Sequence, residues 1–206
     1  MEISEKINRN IEKIEKEIGD ARLVVVTKCR SVDEIGLAIK AGAKIIGENR
    51  VKEFKEKVES VKGVEKHMIG HLQRNKVKEA VQLFDCIESV DSVKLVIEID
   101  KRAKEVGKVM PIFLEVKFEE QKHGFSVEEL DVMFDEINRL KNIKIVGLMC
   151  MAPLLPKEET RPYFKKMKKL KDKYGVKELS MGMSNDYKVA VEEGSTLVRI
   201  GTAIFE

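Results

Sequence analysis

Two glycine-containing segments near the end of the chain carry hydroxyl groups suited to binding an anion. Gly182 and Ser184 lie in the segment MGMS, and Gly201 and Thr202 lie in RIGT. Glycines let backbone N–H groups approach an anion closely, and the dipole of a helix that starts at Ser184 would favour negative charge. The two segments together predict a site for a phosphorylated ligand. With Ser184 alone, simple capping of the following helix would be the better interpretation.

A lysine and an arginine add two further chemical groups. Lys28 directly follows the apolar run LVVVT, where partial loss of hydration would favour the neutral amine, a nucleophile toward an aldehyde. A solvated salt bridge is the alternative role for this lysine. Arg199 stands between two apolar residues of a strand, so alternation turns it inward, where a guanidinium needs a partner. That partner is either an acceptor on a ligand or an internal carboxylate such as Glu48 or Glu115.

Eight strand patterns supply the scaffold that could bring these distant groups together. Each is a short apolar run rich in β-branched residues, which is typical of strands buried on both faces of a parallel sheet. Seven of them lead into helical patterns, and two of those helices begin with a capping box, Ser31 with Glu34 and Ser126 with Glu129. The eight runs are RLVVVT, KIIGEN, HMIGH, CIESV, PIFLEV, KIVGLMCM, ELSMGMS and TLVRIGTAIF.

Eight βα units without a linker predict an α/β fold, a single-domain (β/α)₈ TIM barrel over residues 1–206, because closure leaves no unpaired sheet edge. Isoleucines at steps of three and four before Gly19 predict an extra N-terminal helix that precedes the first strand. An open doubly wound sheet is the alternative. No strand is followed by the GxGxxG turn that would support dinucleotide binding in such a sheet.

The composition is that of a globular protein with a densely charged surface. Apolar residues make up 43% of the chain and charged residues 36%, which excludes a disordered chain and a membrane protein. The net charge of +3 is not gathered in a basic block, so no nucleic acid partner is expected. Cys29, Cys86 and Cys150 lack disulfide or zinc spacing, and the N-terminus lacks a targeting pattern. A cytoplasmic location is therefore expected.

In such a barrel the functional groups lie at the carboxyl ends of the strands. Lys28 follows the first strand, Asn49 the second and His71 the third, while the two glycine-containing segments follow the seventh and eighth, where barrels commonly bind phosphate. A phosphate site, an aldehyde-reactive lysine and an arginine for a ring nitrogen together describe a site for pyridoxal 5′-phosphate (PLP). His67, His71 and His123 lack metal-ligand spacing, so no metal site is expected.

Several motifs, in order and over nearly the whole chain, resemble those of the pyridoxal phosphate homeostasis proteins. They are VVTK, IIGENRVKE, HMIGHLQRNK, IESVDS, LEVKFEEQKHGF, GLMCMAP and ELSMGMSNDYKVAVEEGSTLVRIGTAIFE. Members of that family resemble the barrel domain of alanine racemase without its second, β-rich domain. The resemblance implies a protein that binds PLP and regulates its supply, with no catalytic residues assigned.

The resemblance also implies roles for individual residues. Lys28 matches the lysine that forms a Schiff base with PLP, Arg199 matches the arginine that faces the pyridine nitrogen, and Asn49 matches the residue beside the ring. Three small residues that follow the seventh and eighth strands match the residues that contact the phosphate, namely Ser184, Gly201 and Thr202. Met181 and Gly182 match residues that shape the phosphate pocket. His71 and Asn75 match a motif at the mouth of the barrel, and their role stays open.

Arg199 bears on activity as well as on binding. A guanidinium stays charged and donates hydrogen bonds, so a ring nitrogen facing it remains unprotonated and PLP becomes a weaker electron sink. Racemisation also needs a second base on the opposite face of the substrate. Such a base normally comes from another domain or subunit, and no second domain is expected in this chain. The expected function is a monomeric PLP carrier that holds the aldehyde on Lys28 and releases it to apo forms of PLP-dependent enzymes. A PLP-dependent amino-acid racemase and a phosphosugar barrel enzyme without PLP are the alternatives.

Overall fold

The computed structural model describes residues 3–118 and 122–206, so residues 119–121 of the LEVKFEEQKHGF motif lie outside the described residues. Eight parallel strands close into a barrel in sequence order, and β8 pairs with β1 to complete the ring. The predicted (β/α)₈ barrel is confirmed, and the open sheet is excluded. The strands are β1 Arg22–Val26, β2 Ile45–Glu48, β3 Glu65–Met68, β4 Cys86–Val90, β5 Met110–Val116, β6 Ile143–Cys150, β7 Glu178–Ser180 and β8 Leu197–Ile200.

Helices surround the strands, and both predicted capping boxes are present at the starts of α2 and α6. No helix within the described ranges is both long and apolar enough to span a membrane. The helices are α1 Ile3–Ile18, α2 Val32–Lys40, α3 Val51–Lys57, α4 Val77–Leu83, α5 Val93–Glu105, α6 Val127–Asn138, α7 Arg161–Tyr174, α8 Tyr187–Glu192 and α9 Thr202–Phe205, with 3₁₀ turns at Val58–Ser60, Arg74–Lys76 and Lys157–Thr160.

Helix α1 occupies the place that a full helix after β8 would take. The chain after β8 forms only the four-residue α9, which packs against α1. The buried face of α1 shares one hydrophobic cluster with Leu23 and Val25 of β1 and with Val198 and Ile200 of β8. That face consists of Ile7, Ile11, Ile14 and Ile18. The extra N-terminal helix therefore covers the seam where the barrel closes.

The interior of the barrel contains both apolar and charged side chains. In β8, Val198 and Ile200 pack toward the helices, whereas Leu197 belongs to an apolar cluster with residues of other strands. Met149 is part of that cluster, as expected for a side chain that fills the barrel. Glu88, His67, Glu115 and Arg199 are among the ionisable residues buried in these strands. Because isolated buried charges are costly, each of these groups needs a partner inside the barrel.

Candidate functional site at the mouth of the barrel

A cavity of about 520 Å³ at the carboxyl ends of the strands joins the beginning of the chain to its end. A volume of this order is typical of sites for small molecules. Five of the eight residues predicted from the sequence line it, namely Lys28 after β1, Ser184 after β7, and Arg199, Gly201 and Thr202 at the end of β8. The amine, the guanidinium and both glycine-containing segments therefore face the same space, hereafter the Lys28 cavity.

Close packing of backbone supports the two glycine-containing segments. Gly182 has φ +94°, and a Cβ atom there would lie 2.6 Å from the Cβ of Ala190, so only glycine fits. The carbonyl of Gly182 accepts a hydrogen bond from the backbone N–H of Arg199 at 3.0 Å. Met181 is fully buried next to this segment. These contacts hold the segment after β7 against the end of β8.

The structure corrects the position assigned to Ser184. Helix α8 begins at Tyr187 with Asp186 as its N-cap, so Ser184 lies in the preceding turn and not at the start of the helix. The expected contribution of a helix dipole at Ser184 is therefore wrong. The hydroxyl oxygen of Ser184 instead accepts a 3.4 Å hydrogen bond from the backbone N–H of Ala203. Ser184 thus connects the two segments that were predicted to bind the anion.

Lys28 is exposed to solvent, which contradicts the expected loss of hydration. The reason is that β1 ends at Val26, two residues earlier, so Lys28 lies on the segment that follows the strand. The backbone around it is held firmly. Cys29 adopts φ +58°, a left-handed conformation that is costly for a residue with a side chain, and its N–H donates to Oε1 of Glu53 at 2.8 Å.

Arg199 is buried as predicted, but its internal partners are not Glu48 or Glu115. Nη1 of Arg199 donates to Oγ of Ser180 at 2.5 Å, and Nη2 donates to the carbonyl of Cys150 at 2.7 Å. The nearest carboxylate oxygen belongs to Glu88, 4.0 Å from Nη1. A guanidinium carries five N–H donors. Since these contacts use only part of that set, Arg199 can also donate to a ligand in the cavity.

Behind Arg199 a buried polar chain continues through Ser180 and Glu88 to His67. Ser180 donates to Oε2 of Glu88 at 2.5 Å, and Nδ1 of His67 lies 2.5 Å from Oε1 of the same carboxylate. Burial acts to raise the pKa of Glu88, but the hydrogen bond and charge of His67 and the charge of Arg199 outweigh it and lower that pKa. Burial likewise acts to lower the pKa of His67, and Glu88 reverses this. Sequence reasoning missed these partners.

Glu115 of β5 is a second buried carboxyl group, which the sequence suggested only as a possible partner of Arg199. Burial and the nearby charge of Asp91 raise its pKa to about 7, although Arg199 acts in the opposite direction. The signal available in the sequence was a lone acidic residue at an inward-facing position of the run PIFLEV.

Asn49 does not line the Lys28 cavity. It lies after β2 and faces an adjoining cavity together with Gly70 and His71. Within the part of the chain that the structure describes, its Oδ1 atom is buried and lacks a hydrogen-bond partner. A buried acceptor without a donor is costly. The structure therefore brings Asn49 to the same mouth as Lys28 but leaves it outside the arrangement centred on Arg199.

Comparisons with known proteins agree with this architecture. The model of the alanine racemase N-terminal domain matches residues 4–206. The chain is 40% identical to a pyridoxal phosphate homeostasis protein of Aquifex aeolicus, covering 100% of this chain and 98% of the relative. It is 36% identical to a protein of the same name from Synechocystis, covering 89% and 90%.

Solved structures extend the comparison. PipY of Synechococcus elongatus with PLP bound has a TM-score of 0.91 and 33% identity, covering 97% of this chain and 100% of PipY. An alanine racemase of Clostridium difficile shares the fold at 17% identity with a TM-score of 0.81, and the match covers 97% of this chain but 59% of the racemase. About two fifths of the racemase chain thus lie outside the match.

Proposed function

Because the chain belongs to the pyridoxal phosphate homeostasis proteins of the alanine racemase N-terminal domain family, we propose that it binds PLP in the Lys28 cavity and serves PLP storage and delivery inside the cell. The observation that carries this proposal is the shared cavity, which gathers an amine, an arginine and two glycine-containing segments. PLP needs three such anchors, for its aldehyde, its ring nitrogen and its phosphate. The residues present fit the cofactor.

Lys28 is the proposed point of covalent attachment. Its Nζ would hold the cofactor by condensing with the aldehyde carbon to a C=N bond, with release of one water molecule. Water or a competing amine would reverse this condensation and return the free lysine. The exposure of Lys28 keeps it open to such attack. This position suits reversible storage better than a sealed catalytic site, which normally excludes water.

Arg199 is the proposed partner of the ring nitrogen. Its contacts with Ser180 and with the carbonyl of Cys150 fix the guanidinium in place, and its permanent charge keeps the facing nitrogen in the role of acceptor. When bound, PLP supplies an electron sink, which is weakest when its ring nitrogen is unprotonated. The site is therefore built to hold the cofactor and is poorly suited to carbanion chemistry.

The tyrosines argue against the racemase alternative. Among the described residues, none of the three lines the Lys28 cavity. The hydroxyl of Tyr187 is engaged by Glu17, that of Tyr174 donates to Asp131 at 2.6 Å, and Tyr163 packs edge-on against Phe118. A second base facing the first across a bound amino acid is thus not provided by a tyrosine of this chain.

Absorption spectroscopy tests the binding. The purified protein, or the protein after addition of PLP, should show the yellow absorption of an imine, and Lys28→Ala should lose essentially all of it. Lys44→Ala is the matched control, because Lys44 lies at the opposite end of the barrel next to β2. A Lys28→Ala protein that stays yellow would contradict the assignment of Lys28. A wild-type protein that never takes up PLP would contradict the proposal as a whole and leave the phosphosugar enzyme as the better candidate.

Two further measurements separate a carrier from a racemase. Mixing the PLP-loaded protein with the apo form of a PLP-dependent enzyme should restore that enzyme's activity as the imine absorption of the carrier declines. Incubation with single-enantiomer alanine in deuterated water should give no α-deuterium exchange at enzymic rates. Rapid exchange would overturn the carrier function and establish the racemase.

A further inference from the structure

A second cluster of polar side chains lies at the same mouth but on the other side of the ring of strands. His71 follows β3, Asp91 follows β4 and His123 follows β5. The Lys28 cavity is formed instead by residues next to β1, β6, β7 and β8. The cluster lines a separate cavity of about 410 Å³. It is therefore a distinct feature that the binding of PLP does not explain.

Both histidine rings direct the same nitrogen toward one carboxylate oxygen. Nδ1 of His71 lies 3.0 Å from Oδ2 of Asp91, and Nδ1 of His123 lies 3.4 Å from that same oxygen. The two rings are stacked with their centroids 3.9 Å apart. One donor atom from each residue fits within a mutual separation of 4.8 Å. Three donors thus converge on one small volume.

These separations match the spacing of ligands around one metal ion. Zinc binds imidazole nitrogen and carboxylate oxygen at about 2.0–2.2 Å, so neighbouring ligands of a tetrahedral ion stand roughly 3.4 Å apart. Two imidazoles and one carboxylate are a donor set that such ions accept readily. We propose that His71, Asp91 and His123 form a binding site for a divalent ion of the Zn²⁺ type, with water completing the coordination.

Access and charge are compatible with this assignment. Side chains of His71 and His123 are about half exposed, 46% and 50%, whereas that of Asp91 is 9% exposed. Solvent therefore reaches both rings, whereas the carboxylate is largely shielded from it. Arg74, Lys94 and Lys122 also line this cavity, but they are exposed, and their repulsion of a cation is screened by water and salt. A fourth lining cation, the half-buried Lys117, is paired with Glu129 at 3.7 Å.

Sequence spacing did not reveal the cluster, because its members come from three different βα segments that only the closed barrel brings together.

Calorimetric titration of the PLP-loaded full-length protein with ZnCl₂, in a buffer that contains neither phosphate nor chelator, tests the site. The expected result is one ion bound per chain. His71→Ala, Asp91→Asn and His123→Ala should each weaken binding by at least about tenfold, and the double variant His71→Ala/His123→Ala should abolish it. Asp172→Asn is the control, because Asp172 is an exposed carboxylate on α7 and should leave the titration unchanged.

Cys29 is exposed and is the competing zinc ligand, so Cys29→Ser is titrated in parallel and should bind zinc as wild type does. Absence of binding by the wild-type protein, or full binding by the double variant, would overturn the proposal. The proposal would also be overturned if Cys29→Ser failed to bind zinc while the variants of His71, Asp91 and His123 still bound it. The imine absorption, recorded in each sample, shows that the variants are folded and keeps failure of the metal site distinct from failure of PLP binding.

Discussion

Replacement of Glu115 by glutamine should make the stability of the barrel less sensitive to alkaline pH. Burial and the charge of Asp91 raise the pKa of Glu115 from 4.5 to about 7. Between these values the folded protein keeps a proton that the unfolded chain releases, so stability falls as pH rises. At about 1.4 kcal/mol for each unit of pH, the free energy of unfolding is lower by about 3 kcal/mol above pH 7 than below pH 4.5. Glutamine carries no ionisable proton, so the Glu115→Gln protein does not lose this stability.

Urea unfolding of the PLP-free protein at several pH values measures the effect. The difference in free energy of unfolding, Glu115→Gln minus wild type, should be constant below pH 4.5, rise in favour of the variant between pH 4.5 and about 7, and then level off about 3 kcal/mol higher. A pH-independent offset from new amide contacts does not affect this rise. Glu136→Gln, an exposed change on α6, controls for the substitution itself. A flat difference across this range would refute the reasoning about Glu115.

Two other variants test the supports of the site. Glu88→Gln removes the charge that binds His67 and Arg199, so it should destabilise the protein by about 3–5 kcal/mol. This loss of stability should be greatest between pH 4.5 and 6.5, where Glu88 and His67 are both charged, and should shrink as pH rises through the raised pKa of His67. Urea unfolding of both proteins at pH 5.5 and at pH 9 measures the loss. Equal losses at the two pH values would contradict this reasoning. Gly182→Ala should lower the melting temperature and weaken PLP binding, because it combines φ +94° with a 2.6 Å approach to Ala190. Gly194→Ala has φ +92° but no atom closer than 3.7 Å, so equal effects of the two changes would show that packing around Gly182 is unimportant.

Local signals in the sequence were sufficient to predict the barrel. The β-branched runs, the isoleucine spacing of α1 and the two capping boxes each depend on neighbouring residues, and the structure contains all of them. The position of α1 over the β8–β1 seam depends on how short α9 is and could not be derived from periodicity. A helix boundary is also poorly defined by pattern alone, which is why Ser184 was placed at the start of α8.

Side-chain partners were harder to predict than strand positions. Inward alternation correctly placed Arg199 inside the barrel. Choosing Glu88 over Glu48 or Glu115 requires the register of β4, β7 and β8, which the local strand patterns do not reveal. The exposure of Lys28 depends on where β1 ends, a difference of two residues. The convergence of His71 with His123 likewise becomes visible only when the ring of strands is closed.

Peptide mapping after borohydride reduction tests the central claim most directly. Reduction converts an imine between PLP and a lysine into a stable secondary amine, and mass spectrometry of the digest then identifies the modified residue. The prediction is one modification per chain, on the peptide that contains Lys28. A modification on a different lysine, or none in a protein that retains PLP, would contradict the conclusion that the exposed lysine after β1 and the glycine-containing segments after β7 and β8 hold one cofactor between them.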